Sequence, residues 1–402
     1  MLINQTFEID SCDDVELGIK RTSKLEYRIS YDDEKEIKAI VFIIRGYGAN
    51  ANIYFLDSYR NYIAKNFDVV TVNVFYHCFC QRRSDVEKYS AITMFAEEDI
   101  PNLSQALLEI GVNINVNLEN AQQCYELLNQ NITTLKLQGK LVQNYQAKFT
   151  STFIPPNGDY QNFGIMAAID HINALKDLVK RFPKFADLPK IYGGGSYGGY
   201  LSLLIAKIAP WYVDGVIDNS GVCLPFLPHI LGRDMDQAEF VFEGDNHRIY
   251  PFVQKYWTRN VDSFFYFSDE NYLVRVILNL SHLKIQASYN TKIVFVSYHS
   301  QRDQGAPAEN KIQLYEIYKI LGYDATLHII KDESDIDGRF IKSLEHGMRI
   351  TDKALFRKEL PLMLEKLQGR NSLMQENSIS YPCRDKIFVF KDVRNSFKLQ
   401  II

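Results

Sequence analysis

The apolar positions of this chain fall into short dense runs that alternate with segments of helical period. Residues 38–44 (KAIVFII) are rich in β-branched side chains and too few for a helix, so they predict a strand buried on both faces. The run passes directly into Arg45-Gly46-Tyr47-Gly48, the composition of a tight turn. A helix at 52–65 and a second buried strand at 68–75 (DVVTVNVF) complete a first strand-helix-strand unit, while residues 3–9 and 25–31 predict antiparallel edge strands. The rhythm returns with a helix at 160–182, a strand at 190–194, a helix after Ser196 and a strand at 213–218. It continues through a helix at 269–284, a strand at 292–297, a helix at 308–321, a strand at 325–330 and a helix at 353–368. Such alternation predicts an α/β fold with a mostly parallel central sheet covered by helices on both faces.

Two stretches interrupt it. Residues 84–158 are polar and helical in pattern, with no strand signature, and end at Pro155-Pro156-Asn157-Gly158; they predict an inserted helical cap. Residues 222–268 are irregular and aromatic (FVFEGDNHRIYPFVQKYW, then FFYF) and predict a second insertion. The core is thus expected from 1–83 and 159–368, carrying the aromatic insertion, with 369–402 as a C-terminal tail whose one apolar run is 386–390. Both insertions are expected to roof whatever site the core carries and to select its ligand.

Composition narrows the function classes. Across 402 residues, 46% are hydrophobic and 23% charged, the proportions of an ordinary globular protein rather than a disordered one. Lysine and arginine number 45 against 49 acidic residues, a net charge of −4 with no basic block, which argues against nucleic acid and membrane surfaces as partners. The N-terminal MLINQTFEID has neither a basic nor an apolar leader region, and no apolar run approaches the roughly 20 residues that span a bilayer. A cytoplasmic protein is expected. The six cysteines, Cys12, Cys78, Cys80, Cys124, Cys223 and Cys383, show no paired C-x-x-C spacing and are expected as free thiols.

The strongest local signal is IYGGGSYGGY, which holds G-x-S-x-G as Gly194, Ser196 and Gly198 between a predicted strand and a predicted helix. A strand reversing that sharply into a helix leaves no room for Cβ atoms beside the serine and lifts its hydroxyl above the sheet edge. A serine hydroxyl becomes nucleophilic only when a base removes its proton, so a histidine and an orienting carboxylate are required further on. Asp303 follows the strand 292–297, and His346 follows the last strand, each where a parallel sheet presents its ligand-binding edge. Ser196, Asp303 and His346 are therefore the expected catalytic set. Asp218, at the end of its own strand, is the rival acid; His299 lies too near Asp303 to serve as base and reads as a hydrogen-bonded strand-end residue. The oxyanion of acyl transfer needs two main-chain donors, assigned to the N–H groups of Tyr47 and Tyr197, with Gly46 and Gly48 allowing close approach.

Other signals fade. In DESDIDG (332–338) a calcium-loop register would put Leu344 where a bidentate glutamate belongs. His77, Cys78 and Cys80 have no second ligand pair at zinc spacing. No dinucleotide fingerprint follows a strand. Neither cofactor nor metal is expected.

The strings GGSYGGY, HSQRDQGAPAEN with LGYDATLHII, and EHG resemble the catalytic half of α/β-hydrolases, in particular prolyl-oligopeptidase-type catalytic domains and related acyl esterases. The resemblance covers residues 38–76 and 160–368 and implies Ser196 as nucleophile, Asp303 as acid and His346 as base. The whole chain is also similar to a group of epsilonproteobacterial α/β-hydrolase-like proteins, some encoded near flagellin-glycosylation genes, which implies a sugar or acyl-sugar substrate. Two departures stand out: the chain before the nucleophile strand is too short for the β-propeller of prolyl oligopeptidases, and Arg45 stands where those relatives often carry histidine. The expectation is therefore a serine hydrolase cleaving a small-molecule carboxylic ester. Acyl transfer or peptide cleavage on the same residues, and an inactive binding protein of the same fold, are the alternatives.

Overall fold

The computed structural model describes residues 1–47, 53–78, 91–372 and 374–402. Gly48 and Cys80, and residues 84–90 of the expected cap, lie outside the described residues. Eight strands form one sheet: β1 (Leu2–Asp10), β2 (Lys24–Asp32), β3 (Ile40–Ile43), β4 (Val70–Phe75), β5 (Lys190–Gly195), β6 (Gly215–Asn219), β7 (Val294–Ser300) and β8 (Asp324–Ile330). Their order across the sheet is β1-β2-β4-β3-β5-β6-β7-β8. The pairs β1/β2 and β2/β4 are antiparallel and the others parallel.

The pattern of burial follows the pattern of side chains. β3, β4, β6 and β7 are buried at every position, as strands covered on both faces must be, whereas β1 is half-buried or exposed throughout. One core cluster joins Val41 and Ile43 of β3, Ile191 of β5, Ile217 of β6 and Val296 of β7 to Leu355, Phe356 and Leu360 of the helix Asp352–Lys366. Burying these side chains stabilises the sheet by about 1.5–3 kcal/mol each. The expected helix at 269–284 is instead two helices, Asp269–Arg275 and Leu280–Tyr289: the backbone is extended at Val276 and Asn279, and Asn279 caps the second by accepting the N–H of His282.

Register decides where chemistry can gather. Ile43 pairs with Gly193, Gly195 with Asn219, Asn219 with Tyr298, and Ser300 with Ile330. The parallel strands therefore end close together at one edge, and the loops after β3, β5, β6, β7 and β8 all leave from it.

Residues 87–162 and 227–266 form a second compact unit. The absence of strands expected for 84–158 is corrected here: Ile92–Met94 and Ala147–Ile154 join His247–Val253 and Phe242–Glu243 in a four-stranded sheet. Ala147–Ile154 (AKFTSTFI) alternates buried and partly exposed positions, a half-covered strand whose Lys and Thr positions masked its period of two. The helices Ile100–Glu109 and Ala121–Leu137 pack Leu103, Leu107, Leu128 and Ile132 on Phe149 of that strand. The buried Asp99 accepts hydrogen bonds from Thr150, Thr152 and Arg233, so its charge is paired and solvated by the protein.

The tail is a three-stranded antiparallel meander, Ser378–Cys383, Lys386–Val393 and Ser396–Ile401, belonging to the unit that holds the large sheet. Asn173 of the helix Ile165–Arg181 exchanges hydrogen bonds with the backbone of Phe397, and the Tyr381 hydroxyl donates to the carbonyl of Lys207. Among the described residues no helix is long and apolar enough to cross a membrane.

Candidate active site

The turn between β5 and the helix Tyr197–Ile208 puts Ser196 at φ 56°, ψ −120°. A serine holds this left-handed conformation only when its surroundings enforce it. The enforcement is steric: a Cβ on either Gly194 or Gly198 would collide with the carbonyl oxygen of Ile44, the residue after β3. The Ser196 N–H donates to the carbonyl of Asn219 on β6 at 2.7 Å, so the turn is held from both neighbouring strands.

The three distant residues singled out in the sequence meet at this edge. Oγ of Ser196 lies 2.7 Å from Nε2 of His346, and Nδ1 of His346 lies 2.7 Å from Oδ2 of Asp303. Oδ1 of Asp303 accepts the N–H groups of Gly305 and Ala306 at 3.0 and 2.9 Å. Burial pushes the Asp303 carboxyl up, but the hydrogen bond and charge of His346, with the nearby His299 and the Ala306 amide, outweigh it and hold the group below its ordinary value. A carboxylate only accepts, so Nδ1 donates to it, and in that tautomer the Nε2 lone pair faces the serine hydroxyl. The Asp303 side chain is fully buried, whereas 38% of the His346 side chain is exposed. The carboxylate is sealed and the imidazole is reachable.

The rivals are occupied elsewhere. Asp218 is buried and accepts hydrogen bonds from Ser297, Lys311 and the Gly221 N–H. It knits strands to the helix Ala308–Ile320 and makes no bond to His346 among those described. His299 is bonded through Nε2 to the carbonyl of Ala306 at 2.6 Å and props the Asp303 loop. Burial, then the charge of Lys311, push its imidazole down, so it stays neutral.

The loop after β3 lies against the turn that carries Ser196: a Cβ on Gly46 would sit 3.3 Å from the carbonyl oxygen of Gly195 and 3.6 Å from Cβ of Ser196. Tyr47 and Tyr197 are neighbours, their rings edge-to-face at 5.6 Å. Sequence reasoning missed Asp352, the first residue of the last large helix. Its Oδ2 accepts from Arg45 at 2.7 Å and its Oδ1 from the Gly195 N–H at 3.1 Å, tying the loop after β3 to the turn that carries Ser196. No local motif marks this aspartate; only its place at the helix start, after the capping Thr351, hinted at a backbone-facing carboxylate. Among the described residues no group of three or more His, Cys, Asp or Glu side chains is arranged to hold a metal ion.

A sheet of this order, with a serine on a sharp turn after its fifth strand, defines an α/β-hydrolase-fold protein. Within that class the chain belongs to the family described as protein of unknown function (DUF2920), which matches residues 5–401. No curated protein matches the chain in sequence. Among solved structures it is similar to the acylaminoacyl peptidase of Pyrococcus horikoshii at 13% identity and a TM-score of 0.46, covering 94% of this chain and 43% of that one. A puromycin-hydrolyzing peptidase of Mycobacterium tuberculosis matches at 11% identity and a TM-score of 0.44, covering 92% of this chain and 40% of that one. A putative dienelactone hydrolase from Klebsiella pneumoniae matches at 7% identity and a TM-score of 0.42, covering 91% and 99%. The chain thus spans less than half the length of the two peptidases. Likenesses this distant carry no inference about activity, which has to rest on the site.

Proposed function

We propose that the protein is a serine hydrolase that cleaves carboxylic esters through an acyl-enzyme. The observation that carries the reading is the pair of 2.7 Å hydrogen bonds linking Ser196, His346 and a buried, ionised Asp303. In this mechanism the Ser196 oxygen attacks the ester carbonyl while Nε2 of His346 takes its proton. Asp303 keeps the ring in the required tautomer and stabilises the imidazolium that forms. The tetrahedral oxyanion is received by the main-chain N–H groups of Tyr47 and Tyr197, and the imidazolium then protonates the departing alkoxide. Water repeats the cycle on the acyl-enzyme, with His346 as base.

An ester is the favoured substrate because an alkoxide departs more readily than an amine. The exposed edge of His346 supports water as the second nucleophile, and therefore hydrolysis over transfer to another alcohol. An acyl-sugar, the substrate implied by the resemblance to the epsilonproteobacterial group, is the narrower form of the proposal. A fluorophosphonate probe is expected to label the wild type and not Ser196→Ala. Short-chain p-nitrophenyl esters and acetylated sugars then rank the acyl and alcohol groups. Folded wild type that resists the probe overturns the hydrolase reading and leaves a binding protein of the same fold.

A further inference from the structure

Asn219, the last residue of β6, touches both halves of the Ser196–His346 pair. Its carbonyl accepts the Ser196 N–H at 2.7 Å, and its side-chain Nδ2 donates to the carbonyl of Gly347 at 3.1 Å. Gly347 directly follows His346. The next residue, Ser220, accepts the Gly347 N–H on its Oγ at 3.1 Å and donates from the same oxygen to Oδ1 of Asn219 at 3.3 Å. An amide and a hydroxyl therefore grip both polar backbone groups of one residue. Both are almost wholly buried, so water does not compete for these bonds.

The grip matters because the segment that carries His346 has little regular structure of its own. Gly347, Met348 and Arg349 all have positive φ, at 73°, 51° and 54°, within a single distorted 3₁₀ turn, His346–Arg349. Ser220 is itself held at φ 56° and anchored by its N–H to the carbonyl of Tyr298 on β7. On the other side of His346, the Ser300 hydroxyl at the end of β7 donates to the carbonyl of Leu344. The imidazole thus stands on a short arch pinned at 344 and 347 to the ends of two central strands. Asp303 fixes the rotation of the ring; the pins fix where its root stands.

We propose that Asn219 and Ser220 are positioning residues that set the distance between Ser196 Oγ and His346 Nε2, acting through His346 rather than on substrate. The inference rests on the serine-hydrolase reading above. Proton transfer in acyl transfer needs near-contact geometry, and a misplacement of about 1 Å costs on the order of a hundredfold in rate. Loss of the grip therefore lowers acylation while leaving substrate affinity nearly untouched.

The experiment measures the rate of fluorophosphonate labelling, and kcat and KM on a p-nitrophenyl ester, for the wild type, Asn219→Ala, Asn219→Asp and Ser220→Ala. Each is also made in a His346→Ala background. Labelling of the wild type is the precondition, and its failure rejects the hydrolase reading itself, separately from this inference. Given labelling, Asn219→Ala and Ser220→Ala are expected to lower kcat about tenfold or more with KM changed less than about threefold. In the His346→Ala background the same changes are expected to have no further effect, because the residue they act through is gone. Asn219→Asp keeps the shape but sets an acceptor against the Gly347 carbonyl in place of the donor, so its rate is expected to fall at least as far as that of Asn219→Ala. Equal rate losses with and without His346, or losses confined to KM, overturn the proposal.

Discussion

Arg45 and Asp352, 307 residues apart in the chain, form a 2.7 Å ion pair whose carboxylate also accepts the N–H of Gly195. One side chain so joins the loop after β3 to the turn bearing Ser196. The pair is largely shielded, with 23% of the Arg45 and 9% of the Asp352 side chain exposed. Asp352→Ala is expected to lower stability by about 1–3 kcal/mol, since it strands a charged and a main-chain donor together. It is also expected to slow acylation. A denaturation double-mutant cycle with Arg45→Met measures the coupling; strict additivity of the two losses excludes a working pair.

Asp303→Asn offers a sharper test of the carboxylate. The amide oxygen still accepts the Gly305 and Ala306 amides, so the fold is expected to survive, while turnover drops by roughly 10³ to 10⁴-fold through the wrong tautomer of His346. Circular dichroism and ester turnover on one preparation separate the two effects. Because the folded carboxyl titrates below its ordinary 3.8, it contributes stability above that value that is lost as the pH falls through the folded one. The stability gap between wild type and variant is therefore expected to narrow below about pH 3.8.

Lys207 gives a pH dependence of opposite origin. It is fully buried without a carboxylate partner among its described contacts, donating to the carbonyls of Val274 and Val276 at 2.6 and 2.8 Å. Burial pushes its ammonium down from 10.5 to about 7. Between those two values the unfolded chain holds a proton that the folded protein has released, so this group makes stability rise with pH. Urea midpoints at pH 7 and 9.5 are expected to show less of that rise in Lys207→Met than in the wild type. An identical rise in both proteins sinks the assignment.

Gly194→Ala tests the turn itself. The added methyl collides with the Ile44 carbonyl, a backbone atom that cannot swing aside. The variant is expected to lose about 1–3 kcal/mol or more, and to lose fluorophosphonate labelling even where it remains folded. Normal labelling with a normal melting temperature means that the β3 edge is not packed as described.

Much of the core was legible because its signals are local. The buried strand β3 appears as an unbroken apolar run, and the sharp turn at Ser196 announces itself by glycines whose missing side chains are required within a few residues of it. The second unit was harder to read. A strand such as Ala147–Ile154 carries lysine and threonine on its outward positions, and its main partner His247–Val253 lies about a hundred residues further along the chain. The meander at 378–401 has the same difficulty: three short alternating strands find their cover on helices from distant parts of the chain, Asn173 bonding Phe397, Lys207 bonding Tyr381 and His282 bonding Pro382.

The residue chemistry alone named a hydroxyl, a carboxylate and an imidazole in workable order. Only the folded chain decided which carboxylate meets the imidazole, because strand register and stagger turn Asp303 toward His346 and bury Asp218 against Lys311. The supports of the site, Asp352 under Arg45 and Asn219 with Ser220 under Gly347, are ordinary polar residues at element ends. Their roles come from backbone groups brought beside them by distant segments. A hydrogen bond reaches only about 3 Å, so such partners exist once the sheet has placed its strand ends together and in no shorter piece of the chain.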